Sequence, residues 1–161
     1  DLISYLDINK LPGLLLCLDF EKAFDSLDWS FLQKVLVAFG FGEDFRKWVS
    51  AFSQSTKSTV LVNGLISPWF PISRGCRQGD PISAYLFILC VEILAIMVRE
   101  NENIKGIHVG DTEHKLAQYA DDTEITLKGD RQSFEESIQI IDKFGKKSGL
   151  VLNPDKTNAI W

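Results

Sequence analysis

The chain has 161 residues, 45% of them hydrophobic, and a net charge of −5. That is the size of one ordinary domain, with enough apolar content to bury a core. The acidic balance argues against a freestanding nucleic-acid binder, whose footprint is usually basic, although an acidic catalytic floor can sit beside basic walls supplied by other segments. Cys17, Cys76 and Cys90 are widely separated, with Cys17 and Cys90 in apolar runs, so buried thiols are expected rather than a zinc site. Their odd, unpatterned number suits a reducing compartment. His108 and His114 have no His or Cys partner at ligand spacing and are expected on the surface or in strands. The start has no basic n-region and no initiator Met, and the chain closes on Ile160-Trp161 just as a strand begins. The expectation is no signal peptide and a piece of something longer.

In chain order, residues 14–20 run Leu-Leu-Leu-Cys-Leu-Asp-Phe, a strand expected to be buried on both faces. Asp28 is a plausible N-cap, because apolar residues then recur at Phe31, Leu32, Val35, Leu36 and Phe39. Gly40 and Gly42 end that helix. Phe45, Trp48, Val49 and Phe52 repeat the helical spacing. Residues 59–62, the dipeptide Asn63-Gly64 and residues 65–72 form a hairpin with a tight turn. A polar loop rich in Arg and Gly covers 73–80, and Pro81 suits the first position of a helix reaching about Arg99.

Residues 82–98 are almost wholly apolar, but the run is short of the ~20 residues a membrane span needs and carries Glu92 in its middle. A central core helix is expected, not a membrane segment. Residues 113–119 and 123–128 alternate in polarity and predict a hairpin with Asp121-Asp122 at its tip. A helix beginning near Ser133, with Phe134, Ile138, Ile141 and Phe144 in period, stops at Gly149. A loop around Pro154 and a last strand complete residues 150–161. This order predicts an α+β fold, with helices packed on one face of an antiparallel sheet.

Four segments carry chemistry. Asp19 ends a buried strand, and Asp121 and Asp122 sit at a hairpin turn. If the strands are neighbours, these acids form an oxygen-rich pocket for Mg²⁺, which takes one or two protein carboxylates plus substrate phosphates. Two ions ~3.5–4 Å apart would clamp the attacking and leaving oxygens of a phosphoryl transfer. Phe24 follows closely, as a core aromatic or as a wall sensing the sugar of a bound nucleotide. The run Arg74-Gly75-Cys76-Arg77-Gln78-Gly79-Asp80-Pro81 combines flexible glycines, two guanidinium groups and a helix N-terminus, which together suit a nucleotide or template strand. Lys156, in the loop after Gly149, could neutralise or protonate pyrophosphate. Singly, each segment reads more readily as a solvated turn, a packed ring, a polar connector or a surface lysine.

Taken together, Asp19…Phe24-Asp25, Arg74-Gly75…Arg77-Gln78-Gly79-Asp80-Pro81, Tyr119-Ala120-Asp121-Asp122 and Gly149-Leu150…Leu152-Asn153…Lys156-Thr157 resemble the reverse transcriptase family, in particular that of retrotransposons without long terminal repeats. The resemblance covers roughly residues 14–160. It implies a right-hand polymerase fold, with palm at about 12–27 and 73–161 and later fingers at about 28–72, the first fingers strands and the thumb lying outside. It implies Asp19 and Asp121 as ligands of two Mg²⁺ ions (Mn²⁺ a substitute), the Phe20 carbonyl as another ligand, and Asp122 as a supporting one. Phe24 matches a gate against ribonucleotides. Arg77, Gln78 and Gly79 match groups near the incoming dNTP and the RNA template, Tyr119 a residue beside the DNA primer end, and Lys156 the acid for pyrophosphate. Relatives usually carry Pro where this chain has Ala84, which is expected only to loosen the helix start.

Two other classes fit parts of the pattern. A two-metal nuclease would also use three acids, but no His lies near them in sequence and the Gln78-Gly79 loop would have no task. A decayed, non-catalytic remnant that binds RNA is opposed by intact acids at all three positions. Residues 1–161 alone are expected to have little or no polymerase activity.

Overall fold

The computed structural model describes residues 2–54 and 56–160. The expected last strand is therefore seen as far as Ile160, Trp161 lying outside the described residues.

A short helix that the sequence did not announce, α1 (Leu2–Asn9), precedes β1 (Leu14–Leu18). After β1 come the single turn α2 (Ala23–Ser26), then α3 (Trp29–Ala38) and α4 (Glu43–Gln54). Asp28 caps α3 as expected, its carboxylate accepting the Phe31 N–H at 2.9 Å. Four two-residue strands follow: β2 (Lys57–Ser58), β3 (Leu61–Val62), β4 (Leu65–Ile66) and β5 (Phe70–Pro71). Asn63 and Gly64 both have positive φ, +50° and +81°, the pattern of the type I′ turn that Asn-Gly favours. The expected hairpin is thus present but interrupted. Between its two short pairs the Ser67 N–H still donates to the Val60 carbonyl at 2.9 Å, while the Ser67 hydroxyl takes the Val60 N–H and the Thr59 hydroxyl donates to the Ser67 carbonyl, so side chains supplement a broken ladder.

The long helix α5 (Pro81–Glu100) starts at its Asp80 cap with Pro81 in the first turn. That cap is in place with Ala84 in the helix. By length and composition α5 could cross a membrane. Here it is the core helix: Leu86, Phe87, Cys90, Val91, Leu94, Ala95 and Val98 are buried against the sheet and its neighbours.

The segment expected as one strand, 113–119, breaks at Lys115. Its first part, β7 (Thr112–His114), pairs with β6 (Ile107–Val109) in a separate ribbon. Its second part, β8 (Leu116–Tyr119), pairs with β9 (Asp122–Leu127). Three polar residues in succession, Glu113, His114 and Lys115, then Leu116 and Ala117 mark the place where the alternation expected of a single strand lapses. Then α6 (Arg131–Ser148) ends on Gly149 at φ +79°, and β10 (Asn158–Ile160) closes the described chain.

The main sheet is antiparallel, in the order β10-β1-β9-β8. Leu14, Leu16 and Leu18 of β1, with Thr123, Ile125 and Leu127 of β9, face the core. α3, α5 and α6 lie on that face, as predicted. The other face of β1, Leu15 and Cys17, is only half-buried, which corrects the expectation of burial on both faces. An antiparallel sheet with helices on one side needs only one apolar face; the apolar run exceeded that need. Cys17 is correspondingly half-buried, while Cys76 and Cys90 are the buried thiols, and all three are free.

Three helical expectations hold in period but not in burial. Phe39 is an exposed C-cap, Ile138 lies outward on α6, and among the described side chains of α4 only Val49 is buried, leaving Phe45, Trp48 and Phe52 exposed.

Candidate active site

The acids meet at one end of the sheet because of its register. Leu18 pairs with Thr123, so one step further Asp19 comes abreast of Asp122, on strands ~4.8 Å apart. Alternation puts both on the face away from the helices, in line with Cys17 and Glu124, which are paired. There the Cys17 thiol is held above its usual range by burial and by the Glu124 carboxylate. Asp121 is the second residue of the two-residue loop joining β8 to β9, with Tyr119 and Asp122 as the flanking pair. Only its first residue, Ala120, has positive φ, at +55°. That is the II′ pattern, which normally takes Gly there, so backbone strain sits next to Asp121.

The other side of Asp19 is fixed by the 149–157 loop. The Asp19 carbonyl accepts the Asn153 N–H at 2.8 Å, Glu21 N–H donates to Val151 at 2.8 Å, and Phe20 forms an antiparallel bridge with Leu152. The Thr157 hydroxyl takes the Asp19 N–H at 3.3 Å. In such a bridge the polar groups of the bridging residue point to the opposite side. The Phe20 carbonyl therefore faces the β9 side, where the acids lie, and it has no hydrogen-bond donor among the described residues. Its ring is buried, edge-on to Phe144. Lys156, exposed, adjoins Thr157 in this loop. The sequence named Lys156 as a candidate; it gave no sign of the Thr157 hydroxyl's task.

The Arg- and Gly-rich loop is tied to α2, four residues past Asp19. Gly75 N–H donates to Leu27 at 2.7 Å and Cys76 N–H to Phe24 at 2.6 Å. The Trp29 indole N–H closes the junction on the Gly75 carbonyl at 2.7 Å, a contact no motif announced. Burial pushes the Cys76 thiol up to about 11, with Asp80 adding to it, so this thiol stays protonated and serves as a packing group. Phe24 is half-buried and stacked on Phe87 of α5, centroids 4.4 Å apart. Arg77, Gln78 and Gly79 are exposed in the loop, and Tyr119 is 85% exposed at the end of β8.

The structure thus brings Asp19, Phe20, Asp121, Asp122 and the Lys156 loop to one sheet end, and links Phe24 to the Arg77-Gln78-Gly79 loop through backbone bonds. Among the described residues, no three Asp, Glu, His or Cys side chains gather into a closed metal cage. The donor set is nevertheless all oxygen and hard, and Mg²⁺ usually keeps waters and substrate oxygens beside one or two carboxylates. An open pair of neighbouring acids with a free carbonyl fits that ion.

The reverse transcriptase (RNA-dependent DNA polymerase) family matches residues 3–161. The chain is 28% identical over 160 residues to a 149 kDa protein of transposon TX1 from Xenopus laevis, covering 99% of this chain and 12% of that protein. It is 31% identical over 139 residues to the Pol polyprotein of the retrotransposable element R2DM from Drosophila melanogaster, covering 86% of this chain and 13% of the relative. The chain therefore spans only about an eighth of these relatives. Among solved structures, telomerase from Candida tropicalis, in complex with a fragment of telomeric RNA, superposes with a TM-score of 0.70 at 13% identity, over 98% of this chain and 27% of that one. At that identity the likeness is one of fold. A family match running almost end to end, over a sheet that gathers the motif acids at one end, makes this chain a member of the reverse transcriptase family of retrotransposable elements.

Proposed function

We propose that this chain is the catalytic core of an RNA-directed DNA polymerase, with palm at about 12–27 and 73–161 and later fingers at about 28–72. The reaction is attack by a primer 3′-hydroxyl on the α-phosphorus of a dNTP: a P–O bond forms, the bond to the β-phosphate oxygen breaks, and pyrophosphate leaves. The observation that carries this reading is the sheet register, which sets Asp19 beside Asp122 and next to Asp121, with the Phe20 carbonyl turned to the same side.

Asp19 and Asp121, with the Phe20 carbonyl and Asp122 in support, would hold two Mg²⁺ ions, or Mn²⁺ in their place. Such ions, when bound, polarise phosphate oxygens and raise the fraction of ionised hydroxyl. The chain's own residues orient and select. The stack on Phe87 holds the Phe24 ring steady, and its free edge would stand against a ribose 2′-hydroxyl. Arg77, Gln78 and the open backbone at Gly79 would hold the nucleotide and the template base, while Tyr119 would lie along the primer end. Lys156 would donate a proton to the departing pyrophosphate. The RNA template, DNA primer and dNTP are the partners, with early fingers and thumb supplied by other segments of the same polyprotein, in an intracellular setting. The nuclease alternative loses support because His108 and His114 sit in the β6–β7 ribbon, which joins the main sheet near Leu127, at the end remote from Asp19.

In the full-length protein with Mg²⁺, Asp121→Asn should lower primer extension at least about a thousandfold, the scale of several kcal/mol of charge stabilisation. Extension at the wild-type rate by that variant refutes the reading.

A further inference from the structure

We propose that Trp29 is a positioning residue for the incoming nucleotide. Its indole N–H anchors one foot of the arch formed by Arg77, Gln78 and Gly79, and so sets where that arch stands relative to Phe24. This rests on the polymerase reading above and adds to it a residue outside the four motif segments.

The polar groups from the Gly75 N–H to the Cys76 N–H are all taken. Gly75 N–H donates to Leu27 at 2.7 Å and Cys76 N–H to Phe24 at 2.6 Å. The Gly75 carbonyl between them accepts the Trp29 indole N–H at 2.7 Å. The two outer bonds join backbone to backbone; the middle one needs a side-chain donor. Indole offers a single donor and no acceptor, so the one polar group of Trp29 is spent here. Its own base is firm. Trp29 opens α3 next to the Asp28 cap, and Asp28 N–H is bonded to the Ser148 carbonyl at 2.7 Å. At the other foot, Asp80 N–H donates to the Arg77 carbonyl at 3.4 Å, and the Asp80 carboxylate accepts the Ile82 N–H at 3.1 Å. Gly79 has φ +86°, the positive angle a type II turn takes at its third residue.

Arg77 and Gln78 are exposed and their side chains make no hydrogen bond or ion pair among the described residues. The two feet therefore fix the arch. Without the indole N–H, the half-buried Gly75 carbonyl loses its partner and that foot is free to open. The register of Asp19 against Asp122 is set separately by β1 and β9. A loosened foot thus weakens nucleotide binding and leaves the acids in place.

The test uses the full-length protein with primer–template, single-nucleotide incorporation, and amide hydrogen exchange over residues 74–80. Trp29→Phe keeps a ring and removes the donor. It should raise the KM for dNTP about tenfold, the scale of one hydrogen bond missing from a half-buried carbonyl. The kcat should stay within about twofold, with primer–template affinity unchanged. The Gly75 and Cys76 amides should exchange about tenfold faster, reporting the opened foot. Trp29→His carries a nitrogen at the same place in its five-membered ring, and its Nε2–H can donate to Gly75. KM and exchange should return towards the wild-type values. Packing alone predicts the reverse order, because imidazole brings less apolar surface than phenyl. A Trp29→His variant no better than Trp29→Phe overturns the proposal, and so do unchanged KM and exchange in Trp29→Phe. If the wild-type protein extends no primer while exchange is fast in Trp29→Phe and slow in Trp29→His, the anchor stands and the polymerase reading falls.

Discussion

Gly75 holds the Arg-rich loop on the turn that follows Asp19. Its φ is +91°, and a Cβ there would lie 2.7–2.9 Å from backbone atoms of Asp25, which cannot withdraw as a side-chain tip could. Gly75→Ala should therefore cost roughly 1–2 kcal/mol in backbone conformation and about 1–3 more in overpacking. Denaturant unfolding checks this; a change below about 0.5 kcal/mol would contradict the geometry. Two other residues set the acid limit of the fold. Asp28 is held below the ordinary carboxylate range by the Ser30 hydroxyl and the Phe31 N–H, and Asp130 by the Ser133 N–H and hydroxyl. A lowered folded pKa gives stability that is present above the unfolded value of about 3.9 and lost as pH falls through the folded one. Asp28→Ala and Asp130→Ala should each cost about 1 kcal/mol at pH 7 and flatten the loss of stability below about pH 4. Equal steepness in variant and parent, followed by circular dichroism, would show that the caps do not titrate in this way.

Among the elements, the β8–β9 hairpin carries the most chemistry on the least backbone. Ala120 occupies a left-handed position without being Gly; a β-branched side chain is far less tolerable there. Ala120→Val should re-aim Asp121 and reduce extension by ten- to a hundredfold with about 1–2 kcal/mol lost in stability, since geometry an ångström off is costly at such sites. Full activity with Val would mean that the turn does not position the carboxylate. The elements also show what was legible in the sequence. The cap at Asp28, Pro81 at the start of α5, the Asn63-Gly64 turn and the stop at Gly149 are local devices, and the chain shows them by residue type; the caps at Asp80 and Asp130 were seen only in the structure. The division at Lys115 was missed although Glu113, His114 and Lys115 are polar in succession and Leu116 and Ala117 apolar, so that strict alternation fails there. The placing of Asp19 against Asp122 was not legible, because it depends on which strands pair. Motif order pointed to that meeting; only the register provides it.

On the scale of the whole molecule, an ordered core lies beside uncovered apolar surface. Leu61, Val62, Leu65, Ile66, Trp48 and Trp69 are all exposed, more than an isolated soluble domain usually tolerates, and the chain spans about an eighth of its relatives. Residues 1–161 alone should fold yet show no primer extension above background, since the early fingers and the thumb of the proposed enzyme lie elsewhere. Robust synthesis by this segment would overturn that division of labour. The burial of Cys90 within α5 and of Cys76 in the loop before it further predicts slow thiol labelling until unfolding, while half-buried Cys17 reacts first.

The central claim is that Asp19 and Asp121 converge on shared cations. Its most direct test is a structure of the full-length protein with primer–template, dNTP and Mn²⁺, read by anomalous scattering. Peaks ~2.0–2.3 Å from carboxylate oxygens of both residues, one of them also near the Phe20 carbonyl, are the expected result. Mn²⁺ held elsewhere, with the two carboxylates more than ~10 Å apart and no pair of ions bridging ~4 Å between them, would contradict it.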